Sequence, residues 1–184
     1  MMSFTTYLNQ IAHCNNLSPN IQWLFYPGML QDSPDKWWDD FKYRHAIHEG
    51  IDICFFKCPS DNKIKTLGPK APIPAMASGI VRNVCPDFLG QTIVVEPDGF
   101  ESEPRRILTI YSHQTPEPGI LPGKRVMENQ IISRIFDTRL KKSKLLSHLH
   151  LSWIEVPRDI AFDDLNWKLF PQRGRLNLIN PVFV

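Results

Sequence analysis

Four of the six histidines in this chain, together with one aspartate, fall into three short motifs: His48-Glu49-Gly50-Ile51-Asp52, Tyr111-Ser112-His113 and His148-Leu149-His150. These side chains have the chemistry for hydrolysis at a zinc ion. Such a site needs three nitrogen or oxygen ligands, an open fourth position for water, and polar groups that move protons around that water. Each motif alone also has a bland account: an exposed histidine beside an unrelated aspartate, a satisfied or exposed histidine at a strand end, a solvated sheet face. Together they offer three plausible ligands and two spare imidazoles.

The spacing says what must position them. In a straight strand His48 and Asp52 would lie about 13 Å apart, too far to share one ion. In a helix they would be neighbours, but Gly50 and the run Ile51-Asp52-Ile53-Cys54-Phe55-Phe56 argue against helix. The expectation is that Gly50 lets the backbone bend, so that His48 on an incoming loop and Asp52 on a strand converge. His148 and His150, two apart on a strand, leave the same face, and Leu149 points into the other. His113 is expected at the end of a strand formed by Ile107 to Tyr111.

Ile51 to Phe56, Gly79 to Val84, Thr92 to Glu96, Ile107 to Tyr111, Gln130 to Ile135 and His148 to Val156 are short β-branched or aromatic runs. Proline and glycine turns separate them, which predicts a mainly β, antiparallel domain. Ahead of it, Phe4, Tyr7, Leu8, Ile11 and Ala12 recur at helical spacing behind the N-cap candidate Ser3, predicting a helix over about 3 to 13. Residues 18 to 40, with Pro19, Pro27, Pro34 and Trp37-Trp38, read as an irregular arm held to the core by its aromatics. The segment 158–184, with Trp167, Phe170 and Leu176 to Val184, is expected to add an edge strand or wrap the core. The expected division is a helix and arm over 1–44, a zinc-peptidase-like β domain over 45–157, and an extension over 158–184 packed on that domain.

Length and composition fit this. A chain of 184 residues can bury a proper core. Its sixteen prolines favour turns and edge strands over long helices. A net charge of +2 is too small to be the footprint of a nucleic-acid or membrane partner. No stretch reaches the roughly 18 apolar residues of a membrane span. The first twenty residues lack the pattern of a secretory signal, and Met1-Met2 reads as a natural start, so the chain as written is expected in the cytoplasm. Four cysteines make no disulfide framework at this length. Cys54 and Cys58 read as buried or half-buried thiols, with Cys54 on the face of Asp52 and so a candidate neighbour of the metal site.

The three motifs, in this order, resemble those of the lysostaphin-like zinc endopeptidases, which cut peptide cross-links in bacterial cell walls. Pro74-Ala75-Met76-Ala77-Ser78-Gly79-Ile80-Val81, Gln91 to Glu96, Pro122-Gly123-Lys124 and Gln130-Ile131-Ile132 are similar to the family's intervening segments. The resemblance covers about residues 45 to 156. It implies an antiparallel, barrel-like β fold and a Zn2+ ion held by His48, Asp52 and His150. His113 and His148 would be the catalytic imidazoles, His148 helping to deprotonate water and His113 orienting it or stabilising an oxyanion. The implied substrate is a peptidoglycan peptide, and the implied location the cell envelope. Rival readings are a non-enzymatic zinc-binding or wall-binding module and a cytoplasmic zinc hydrolase of another peptide.

Where the family has a Gly/Ser/Thr loop before its last motif, this chain has Arg139 to Ser147, rich in lysine, read as a solvated loop. The segment 18 to 44 lies outside the shared core and runs directly into His48. His45 is read as exposed or behind the ligands, His13 as a helix-terminal residue, and Glu49 as pointing away from the metal.

Overall fold

A computed structural model describes residues 2–102 and 104–183; Val184 of the expected C-terminal strand lies outside them. The first helix, α1 (Phe4–Cys14), starts where Ser3 predicts it. Ser3 holds an extended backbone and its Oγ accepts the Thr6 N–H at 3.2 Å. The buried stripe Phe4, Tyr7, Leu8, Ile11 and Ala12 faces the core. Tyr7 donates its hydroxyl to Pro74 O at 3.0 Å, fixing the helix to the sheet.

Among the described residues thirteen strands follow: β1 (Gln22–Leu24), β2 (Ile51–Ile53), β3 (Phe55–Lys57), β4 (Ile64–Thr66), β5 (Pro72–Pro74), β6 (Gly79–Pro86), β7 (Gln91–Pro97), β8 (Glu101–Ser102), β9 (Arg105–Pro116), β10 (Arg125–Val126), β11 (Ile131–Ile135), β12 (Leu149–Pro157) and β13 (Asn177–Ile179). All pairings are antiparallel. β1, β3 and β4 form a small sheet. The large sheet runs β10-β6-β7-β9-β11-β5 and is open at both ends, with β12 pairing β9, β2 and β13.

The run 51–56, expected as one strand, is two. β2 joins the large sheet through β12, and β3 joins the small one through β1 and β4. The chain changes sheets at Cys54. Both halves are apolar enough to bury, so the pattern alone did not show the break. β9 is longer than Ile107 to Tyr111 and carries His113 inside it. The C-terminal edge strand forms as β13, on Trp153, Ile154 and Glu155 of β12.

β12 shows why the histidines end up where they do. Leu149, Leu151 and Trp153 point into the main core, with Tyr7, Ile11, Ile53, Ile93 and Tyr111. Ile154 and Val156 point to the other face, where Ile160, Leu165, Leu169, Phe170 and Leu176 of the C-terminal segment cover them. His150 and Ser152 share that second face by alternation, where Trp167 of the same segment lies against His150, ring centroids 5.9 Å apart. No helix among the described residues is long and apolar enough to cross a membrane.

Candidate metal centre and active site

Strand register lines up the first part of the site. Asp52 of β2 pairs with His150 of β12, and His150 pairs with Ser112 of β9. Three neighbouring strands therefore present Asp52, His150 and Ser112 side by side on one face. His48 comes from the loop just before β2, and His148 from the residue just before β12. All four histidines of the motifs and Asp52 are buried.

Three donor atoms converge. His48 Nε2 lies 3.1 Å from Asp52 Oδ1 and 3.0 Å from His150 Nδ1, and His150 Nδ1 lies 2.9 Å from the same Oδ1. Tautomers make this contact informative. His48 Nδ1 sits 3.0 Å from the carbonyl oxygen of Leu30, which can only accept, so Nδ1 carries the proton and Nε2 is bare in the neutral ring. A bare nitrogen and a carboxylate oxygen at 3.1 Å are two acceptors face to face. A cation, either a proton or a metal ion, belongs between them. Tetrahedral zinc with bonds of about 2.0–2.1 Å separates its donors by about 3.3 Å. The three atoms are nearly at that spacing, and the two-nitrogen, one-oxygen set suits zinc. The residues present therefore fit the implied ion.

The second oxygen of Asp52 is occupied by the arm. Trp37 donates Nε1 to Oδ2 at 2.6 Å, and Arg44 reaches the same atom at 3.3 Å. Asp52 is thus left one oxygen for a metal. Burial alone would raise its carboxyl, but the surrounding imidazoles, His48 foremost, hold it well below the usual carboxylate range.

The remaining two imidazoles flank this centre. His148 Nδ1 is 2.7 Å from Leu146 O, so in the neutral ring its Nε2 is bare, and that atom lies 3.5 Å from Asp52 Oδ1. Its ring meets Trp37 edge-on at 5.2 Å and His113 at 4.9 Å. His113 is not at a strand end. It lies within β9 at a break in register, where Gln91 faces Gln114 but Ile93 faces Tyr111. Two residues, Ser112 and His113, therefore oppose one, Thr92, and this bulge re-aims the histidine. His113 has φ +64°, in the left-handed region that β-carbon-bearing residues rarely adopt. Burial pushes the His113 imidazole down to about 4, more than contact with Asp87 raises it. His150 is also lowered by burial, against the pull of Asp52.

Gly50 serves a purpose other than the expected one. Among the described glycines with positive φ it does not figure. A β-carbon there would collide with the Leu151 carbonyl oxygen and the Ser152 hydroxyl. Glycine is needed so that the loop can lie against β12, which brings His48 beside His150. Glu49, expected to point away, lines the same cavity as the histidines. His45 is exposed at that cavity, and His13 is exposed at the end of α1. Tyr111 belongs to the core: its hydroxyl oxygen accepts the Met76 N–H at 2.9 Å. Cys54 is buried, lies 3.7 Å from Ser147 O, and is pushed up to about 12 by burial and by Asp52, so it stays a thiol. Cys14, Cys54, Cys58 and Cys85 are all free.

The cavity over the site has a volume of about 280 Å³, and Trp38, Phe88 and Trp167 give it aromatic walls. The motifs did not reveal four contributors. Trp37 and Arg44 were visible only as parts of an arm, Asp87 as part of a turn, and Trp167 as part of a C-terminal segment. Each reaches the site by tertiary contact, and no fixed spacing to a histidine announces it.

No protein-family model matches the sequence, and no curated protein does. Among solved structures, the chain is similar to a point variant of the catalytic domain of the prophage-encoded M23 protein EnpA from Enterococcus faecalis. The identity is 16% over 85% of this chain and 92% of that one, with a TM-score of 0.44. It is also similar to the catalytic domain of the antimicrobial peptidase lysostaphin from Staphylococcus simulans, at 15% identity over 84% and 90%, TM-score 0.45. A third similarity is to the SpoIIQ–SpoIIIAH pore forming complex, at 18% identity over 84% and 88%, TM-score 0.41.

Proposed function

We propose that this protein is a zinc-dependent endopeptidase that hydrolyses amide bonds, with a peptidoglycan peptide as substrate. The observation that carries the reading is the convergence of His48 Nε2, Asp52 Oδ1 and His150 Nδ1 within 2.9–3.1 Å of one another, a spacing that one shared cation would bridge. These three residues would hold the ion. When bound, zinc supplies a Lewis acid for the scissile carbonyl and acidifies a water.

The protein's own groups do the rest. Trp37 and Arg44 fix the Asp52 carboxylate, so it does not swing to offer both oxygens. His148, whose Nε2 is bare in the neutral ring, can accept a proton and pass it on. His113 sits beside it, and the pair flank the place where a peptide carbonyl would lie. Trp38, Phe88 and Trp167 give the cavity apolar walls against which a peptide backbone can lie and water is displaced.

The test is digestion of purified peptidoglycan by the zinc-loaded protein, with fragments read by mass spectrometry and His148→Ala as control. New fragments absent from the control support the reading and identify the bond. No fragments from protein with zinc bound would sink the wall substrate and favour another peptide or a binding module. His113→Ala and His148→Ala should each keep zinc, measured by metal content, while turnover falls about 100-fold or more. Loss of zinc from either variant would make that residue a ligand.

A further inference from the structure

All four imidazoles at this site have Nδ1 against an oxygen, but the oxygens differ: that of His150 is Asp52 Oδ1, within the converging cluster itself. His48 and His148 are tied to the backbone carbonyls of Leu30 and Leu146. His113 is tied to a carboxylate: its Nδ1 lies 3.1 Å from Asp87 Oδ1, and its backbone N–H donates to Asp87 Oδ2 at 2.9 Å. The Asp87 side chain is fully buried. One carboxylate thus grips both the ring and the main chain of the residue that stands in the left-handed conformation at the bulge.

We propose that Asp87 is the positioning residue of His113: it holds the strained backbone and the ring, and fixes the tautomer that keeps Nε2 free of a proton for the cavity. The geometry around Asp87 is closed on every side. Oδ1 also accepts the N–H groups of Leu89 at 2.8 Å and Gly90 at 2.7 Å. Oδ2 also accepts the Thr92 hydroxyl at 2.9 Å. Thr92 Oγ1 in turn accepts Trp167 Nε1 at 2.8 Å, so the C-terminal segment steadies the same unit. A carboxylate supplied with this many donors stays ionised; burial opposes that, but the His113 ring and the Gly90 and His113 amides hold it far below the ordinary carboxylate range.

The contacts with Leu89 and Gly90 also make Asp87 a turn-former. A purely structural aspartate would cap that turn and have no effect on the protonation pattern of His113. That difference is measurable. In the full-length, zinc-loaded protein labelled with 15N-histidine, long-range 1H–15N spectra report which ring nitrogen of His113 carries the proton. The expected result at neutral pH is a proton on Nδ1, seen as a downfield, slowly exchanging resonance typical of a bond to a carboxylate. Asp87→Ala should lose that resonance, and Asp87→Asn, which retains one oxygen acceptor, should keep the Nδ1 tautomer. Wild-type His113 protonated on Nε2, or an Asp87→Ala spectrum with the Nδ1 resonance intact, overturns the proposal. The wild-type spectrum decides the matter even if Asp87→Ala does not fold.

The consequence for turnover rests on the peptidase reading. Asp87→Ala should lower kcat about 100-fold with KM and zinc content unchanged, and Asp87→Asn should recover part of it. A drop in zinc content or a rise in KM alone would overturn the positioning role. The two readings fail separately. The Nδ1 signature in a protein that cuts no peptide refutes the peptidase and leaves the positioning role standing. Peptide cleavage by a protein whose His113 carries its proton on Nε2 does the reverse.

Discussion

The two flanks of the site are built by different means. On one flank, His150, Ser112 and His113 ride on β12 and β9, which pair over eight residues from His150↔Ser112 to Pro157↔Arg105. On the other, Trp37, Arg44 and His48 come from residues 27–48, which hold only a short 3-10 turn and one isolated bridge, Asp35↔Tyr43. Polar contacts do the holding there. Arg44 donates to Asp35 O, Gly28 O and Asp52, His48 N–H donates to Ser33 O, and Asp32 N–H donates to His48 O. Gly28 lets the arm fold on itself, because a β-carbon there would press on the backbone of Asp35 to Trp37. One flank is thus specified by register and the other by a handful of hydrogen bonds. The second is the flank that single substitutions can loosen without disturbing the sheet.

The largest effect should come at the seam between the flanks. His150→Ala removes a converging nitrogen from the rigid side, and zinc affinity, measured by competition with a chelator, should fall well beyond the roughly 10–100-fold that loss of an outer partner costs. Retention of wild-type affinity would remove His150 from the ligand set.

Acid should act next, and on the strand-built flank. His113 is held at about 4 against an ordinary 6.5. As pH falls, the unfolded chain binds the proton first, so the stability His113 contributes is present above about 6.5 and is lost on the way down to about 4. The shift corresponds to roughly 3 kcal/mol at most, and His150, lowered in the same direction, adds to it. Denaturant titrations of the metal-free protein between pH 7 and pH 4.5 should show this loss, and His113→Asn should flatten it. An unchanged slope in that variant would move the acid sensitivity elsewhere.

On the arm flank, Trp37→Phe keeps the ring but removes the N–H that Asp52 Oδ2 accepts. Zinc affinity should drop about 10-fold to 100-fold with little change in thermal stability. An equal loss of both would mean that the arm serves the fold rather than the metal. The smallest effect is expected from Cys54→Ser, because the thiol's neighbour is the Ser147 carbonyl oxygen rather than a bare donor of the site. Zinc affinity should stay within twofold of wild type; a larger loss would show that the thiol reaches the metal after all.

The same contrast explains what could be read from the sequence. The helix was legible because Ser3 and the spacing of Phe4, Tyr7, Leu8 and Ile11 are local signals. β6, β7, β11 and β12 were legible because β-branched runs between turns are local too. Convergence of His48, Asp52 and His150 followed from two motifs, the first putting His48 and Asp52 in reach of each other and the last adding His150. The split of 51–56 at Cys54 was not legible, since one apolar run serves two sheets equally well. Nor was the bulge at His113, which depends on how β7 meets β9. β5, with Pro72 and Pro74 in three residues, carries no alternation to detect. The link between Asp87 and His113 spans 26 residues and joins a turn to a strand interior, so no periodicity reports it.

The pairing of Asp52 with His150 has a consequence for how the molecule comes to exist. The two residues are 98 apart in the chain, and β2 has no partner strand in the large sheet other than β12 among the described residues. During synthesis, β2, β6, β7 and β9 emerge well before β12. The three-atom cluster is therefore absent from every nascent chain that ends short of residue 150. Such contacts between distant segments are slow to form, and on the zinc reading metal capture would be a closing event of folding rather than a nucleus for it. Supplying zinc to an unfolded chain should leave its early folding steps unchanged and act only after β12 has docked.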